Sequence, residues 1–146
     1  MIRKHKIEIY PVDIYIATKA DFEEAKKKFY FYSTVQDLLE DVNAGIPCVG
    51  DDADGGTFMI RSKKNGSKGV IIFLEESELL DGYCFEIAAH ESTHVADIVW
   101  DIIGAIGEDS NQGNEPYAYL LGWVAGKIGQ YIIDTLKEAE DGRKEK

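Results

Sequence analysis

Between Leu80 and Ile106 lies a long, largely apolar run in which five polar residues return at helical spacing. This run constrains the fold more than any other feature of the chain. On a wheel of about 100° per residue with His90 at zero, His94 falls near +40°, Glu86 near −40°, Asp97 near −20° and Asp101 near +20°. Most of the remaining circle is apolar: Phe85, Ile87, Ala88, Val95, Ala96, Ile98, Val99, Ile102, Ile103 and Ile106. Such a helix is expected to be central and buried, with Ile98 and Ile102 in the core. Its polar stripe then needs partners, because orphaned charges in a core cost several kcal/mol.

The segments around this helix set the class. Ile7 and Ile9 share one parity and Val12, Ile14 and Ile16 the other, which reads as a strand with a shift near Tyr10–Pro11. Thr18 is placed to cap a helix through ADFEEAKKKFYFY, and Ser33 with Gln36 to form a capping box for TVQDLLEDVNAG. Residues 49–56 read as an acidic, glycine-rich loop. TFMIRSKK and GVIIFLEE, joined through Asn65–Gly66, read as a β-hairpin. A second helix is expected over 114–140, and a frayed polar tail over about 141–146. Strands first and helices last indicate a single α+β domain over residues 1–146.

Charge and composition remove several functions. Twenty-seven acids against 16 bases give a net charge of −11, the wrong field for attracting nucleic-acid phosphates or an anionic membrane surface. Cys48 and Cys84 are too few for a disulfide framework and fit a reducing compartment. The longest apolar stretch, within Tyr117–Gly126, is about half of the ~20 residues that a membrane span needs. Glu8, Pro11 and Asp13 interrupt any leader-like apolar stretch. A cytoplasmic protein is the expectation.

Within the long helix, His90-Glu91-Ser92-Thr93-His94 fits the pattern H-E-x-x-H. Three His and 14 Glu in the chain make a chance match expected roughly 0.006 times, so the pattern is not a casual hit. One turn apart, His90 and His94 project from one face and can bind one Zn²⁺, with Glu91 beside them to act on water. The alternative is a hydrogen-bonded structural pair. Asp97 is a candidate to orient a ligand histidine, and a solvated helix edge is the alternative for both Asp97 and Asp101. A third ligand is wanted. His5 lies in a basic run and reads as solvated, and Cys84 reads as core. Glu115 opens the next helix. It shares one side with Ala118, Tyr119, Gly122, Gly126 and Gly129, small residues that would permit close approach to the metal helix.

These residues resemble the gluzincin zinc metallopeptidases, which carry HExxH on one helix and a Glu ligand on the next. Thr93 and the Asn114–Glu115 pair resemble the thermolysin-like version. Glu115-x-x-Ala118 followed by an aromatic resembles short bacterial gluzincins that cleave repressors, and small zincin-like proteins of phages and prophages. The resemblance covers about residues 70–125. It implies a zincin-like fold, a small antiparallel or mixed sheet packed on a buried metal-binding helix and a following ligand helix. It implies Zn²⁺ held by His90, His94 and Glu115, with Glu91 as general base. It also implies a strand before the metal helix that pairs with extended substrate, a place taken by Ile71, Ile72 and Phe73. The chain is shorter than the full-length enzymes, and no His follows Glu115 to stabilise an oxyanion. Tyr117, Tyr119 and Tyr83 stand as alternatives for that role.

The expected function is an intracellular zinc peptidase acting on a protein or peptide. The alternative is a catalytically silent, zinc-bound protein-interaction module of phage or prophage origin. The retained Glu91 argues for the enzyme, and the small size argues for the module. A third reading is a metal-free interaction protein.

Overall fold

A computed structural model of the chain describes residues 1–47, 55–76, 84–105 and 114–144. Five strands, β1 (Arg3–Lys6), β2 (Asp13–Thr18), β3 (Phe29–Tyr32), β4 (Gly55–Ser62) and β5 (Lys68–Leu74), form one sheet in the order β1-β2-β5-β4-β3. β2 and β5 are parallel and every other pair is antiparallel. The fold is therefore α+β with a mixed sheet.

Local chemistry explains most of the boundaries. The opening segment is two strands, because Pro11 supplies no donor and the chain turns there, with Val12 N–H bonding Tyr10 O at 2.8 Å. A 3-10 turn at Lys19–Asp21 leads into α1 (Phe22–Lys28). The expected helix then stops, and Phe29–Tyr32 is β3, whose alternating aromatics suit a pleated surface. α2 (Val35–Glu40) starts one residue later than expected, with Thr34 Oγ1 accepting from Asp37 N–H at 3.0 Å. The β4–β5 hairpin forms as expected, with Gly66 at φ +70° in its turn. α3 (Cys84–Ile102) follows, then α4 (Glu115–Lys144), which continues through part of the expected tail.

Strand alternation builds two layers. Ile14 and Ile16 of β2 and Val70, Ile72 and Leu74 of β5 face α3 and α4, and pack on Val95, Val99, Val124 and Ile128. Tyr15, Ala17, Ile71 and Phe73 point to the other side, against Phe29, Phe31, Ile60 and Ala25. α3 is amphipathic rather than buried all round: Phe85 is 75% exposed, and Ile98 and Ile102 are half-buried. Among the described residues, no helix is long and apolar enough to cross a membrane.

Candidate metal and catalytic site

α3 lies on the face of the sheet reached by Gly55 and Thr57, and a cavity of about 360 Å³ opens between them. One wall is Gly55–Phe58 of β4. The other is His90, Glu91, His94, Asp97, Ile98 and Asp101 of α3. The polar stripe therefore faces this cleft and solvent, not the core. The single turn between His90 and His94 brings their Nε2 atoms to 3.1 Å, with the rings edge to face at 4.7 Å between centroids.

Glu91 lies about 100° further round the helix than His90, on the side that meets the sheet. Only 5% of it is exposed, and among the described residues it is the one buried carboxylate. A buried carboxylate without a donor is costly. Here Thr57 Oγ1 donates to Oε2 at 2.5 Å, a short charge-assisted bond. Gly55, two residues earlier on the same face of β4, lies close beneath the carboxylate: a Cβ there would stand 3.0 Å from Oε1. Gly55 is absent from the sequence-based site because residues 49–56 read as loop, and Thr57 because it read only as the start of a hairpin strand. The signal was the Gly55–Gly56 pair entering a β-rich run, since glycine in a strand marks close backbone approach.

Asp97 lines the cleft and accepts from Tyr117 Oη at 2.5 Å, so its partner is a tyrosine of α4 rather than a ligand histidine. Burial, and then this bond to Asp97, push the Tyr117 hydroxyl up to about 12. The contact ties the first turn of α4 to the cleft. Glu115 opens that turn and is exposed. Among the described residues, no group of three or more His, Cys, Asp or Glu side chains is gathered as a metal set.

The small-residue side of α4 does not face α3. A Cβ at Gly122, Gly126 or Gly129 would meet nothing within 4 Å. α4 docks instead through Leu120, Val124, Ile128, Tyr131 and Ile132. Tyr119 is 74% exposed and lines a different cavity of about 630 Å³ with Trp123, Lys127 and Tyr10. His5 is not solvated: it is half-buried on β1, edge-on to Trp123 at 6.5 Å. Tyr83 and Cys48 lie outside the described residues.

The place given to Ile71, Ile72 and Phe73 is corrected by the sheet. All three are fully buried, and β5 is hydrogen-bonded to β2 on one side and β4 on the other, so it has no edge to offer a peptide. The strand beside the cleft is β4, of which β3 covers Met59–Ser62, and among the described strands none covers the outer side of Gly55–Phe58.

Two of the three expected donors have a spacing that suits zinc. Two nitrogens each about 2.0–2.1 Å from a tetrahedral Zn²⁺ stand roughly 3.3–3.4 Å apart, and the two Nε2 atoms need only a small adjustment from 3.1 Å. Comparison with protein-family models, curated proteins and solved structures gave no match.

Proposed function

We propose that this protein is a zinc-dependent peptidase of the cytoplasm. The observation that carries the reading is the convergence of His90 and His94 Nε2 atoms at 3.1 Å, in the same cleft as the buried Glu91 carboxylate. A structural pair of histidines has no use for an adjacent carboxylate held in the same cleft by a strand hydroxyl. His90 and His94 would hold the zinc. Glu115, exposed at the start of α4, is proposed as the third protein ligand on the resemblance alone, since Tyr117, which bonds Asp97, lies about 200° round the helix from it.

When bound, zinc supplies a Lewis acid for the scissile carbonyl and lowers the pKa of water from 15.7 towards about 7. The chain's own residues do the rest. The outer side of Gly55–Phe58, which no described strand covers, offers backbone groups to an extended peptide. Glu91 takes the proton of the attacking water and returns it to the leaving amine. Asp97, which lines the cleft, accepts from Tyr117 of α4, whose hydroxyl remains protonated at neutral pH.

The test is cleavage of a quenched-fluorescent peptide pool by the zinc-loaded parent and by Glu91→Gln. The amide keeps size and hydrogen bonding but cannot accept the proton. Turnover should fall roughly 10²–10⁴-fold with zinc content unchanged. Equal cleavage by both would remove Glu91 as base. The gathering of only two clear metal donors among the described residues favours a second reading, a zinc-bound interaction module. Zinc retention with no cleavage by either protein would establish that one.

A further inference from the structure

We propose that Thr57 is a positioning residue for Glu91, and that Gly55 is held small to make room for it. The inference rests on the peptidase reading and names residues that act on its base. Gly55 and Thr57 are two apart on β4, so both present the same face to α3. Their position is fixed by pairing with Leu74 and Ile72 of β5, which are themselves fully buried. A threonine hydroxyl has one proton to give, and Thr57 gives it to Glu91 Oε2 at 2.5 Å. Among the described residues, Oε1 accepts no hydrogen bond, and it lies over Gly55, 3.0 Å from where a Cβ would be.

The two oxygens of the carboxylate are therefore not equivalent. Oε2 is committed to the strand, and Oε1 is the oxygen left to take a proton from water in the cleft. Without the Thr57 hydroxyl the carboxylate turns about its Cγ–Cδ bond, and proton transfer loses its geometry. A methyl at residue 55 would push Oε1 away by steric contact alone.

The experiment compares Thr57→Val, Thr57→Ser and Gly55→Ala with the zinc-loaded parent, using the best-cleaved member of the quenched-fluorescent pool. Zinc content and Tm are measured on the same samples. Valine keeps the shape and β-branching but not the hydroxyl, and serine keeps the hydroxyl. Measured where every variant is folded, Thr57→Val and Gly55→Ala should lower kcat about 10- to 100-fold with KM and zinc content unchanged. Thr57→Val should also lower Tm because a buried carboxylate loses its donor, and Thr57→Ser should restore most of kcat. Parent-like kcat in Thr57→Val overturns the proposal. So does equal loss in valine and serine variants, which would show that the hydroxyl is not what sets kcat, or loss of zinc in step with kcat, which would mark a structural role. A parent that binds no zinc, or binds it and cleaves nothing, fails the peptidase reading and this inference with it. A cleaving parent with an unaffected Thr57→Val fails this inference alone.

Discussion

What the 3.1 Å between His90 and His94 means depends on where two protons sit. Without metal, one ring donates its Nε2 proton and the other accepts, so the pair holds one tautomer of each kind. A metal between them requires both Nε2 atoms bare and both protons on Nδ1. Nitrogen-15 spectra of the ring signals should therefore show a mixed pair in chelated protein and a matched pair after zinc is added. Two mixed tautomers surviving saturating zinc would take the metal away from this pair. His94→Ala should abolish tight zinc binding and His5→Ala should leave it intact, since His5 packs on Trp123 rather than in the cleft. Acid should release the metal, because a protonated imidazole cannot ligate. The pattern H-E-x-x-H was legible from the chain alone, because four residues is one turn and a turn fixes direction. The partner of Glu91 was not, because Thr57 is 34 positions away and only the sheet brings it back.

At the scale of elements, α4 shows how far periodicity goes. Its helical span was legible from apolar spacing, but its docking face was not. A row of glycines on a wheel looks the same whether it meets another backbone or open solvent. The structure chooses solvent and buries Leu120, Val124 and Ile128 instead. Ile128→Ala should accordingly cost about 2–5 kcal/mol, while Ile133→Ala, at a 45% exposed position, should stay within about 0.5 kcal/mol. Urea unfolding of the two variants measures the difference, and equal losses would show that α4 is rotated from its described setting. The hairpin was legible for a different reason: Asn65–Gly66 carries its own turn chemistry, independent of anything distant. β3 was hidden because Phe29–Tyr32 follows the three lysines ending α1 with no glycine or proline to mark the change. Four residues of alternation are too few to outweigh a helix already under way.

Across the whole molecule, the buried tyrosines set an alkaline limit. Burial, reinforced by the Asp41 carboxylate, pushes Tyr32 up to about 12. Burial, with Asp21 the next cause, does the same to Tyr131. In the unfolded chain both hydroxyls ionise near 10, so above that pH the unfolded state binds fewer protons and gains on the folded one. Their contribution is complete below pH 10 and is lost as pH rises through about 12. Absorbance titration should show late phenolate formation coincident with unfolding, and Tyr131→Phe should move the midpoint upward. A midpoint unmoved in that variant would place the alkaline limit elsewhere. The parallel union of β2 with β5 governs something else, the order of assembly in time. β4 and β5 are local and can zip within roughly 1–10 µs. β2 reaches β5 only by closing a loop of about fifty residues, an entropic toll taken before any contact rewards it. Until β2 arrives, the surface of Ile14, Ile16, Val70, Ile72 and Leu74 that receives α3 and α4 does not exist. Ile16→Val should therefore slow refolding, whereas Ile128→Val should mainly speed unfolding, so that α4 and the helix carrying His90 and His94 are the last parts of the chain to find their place.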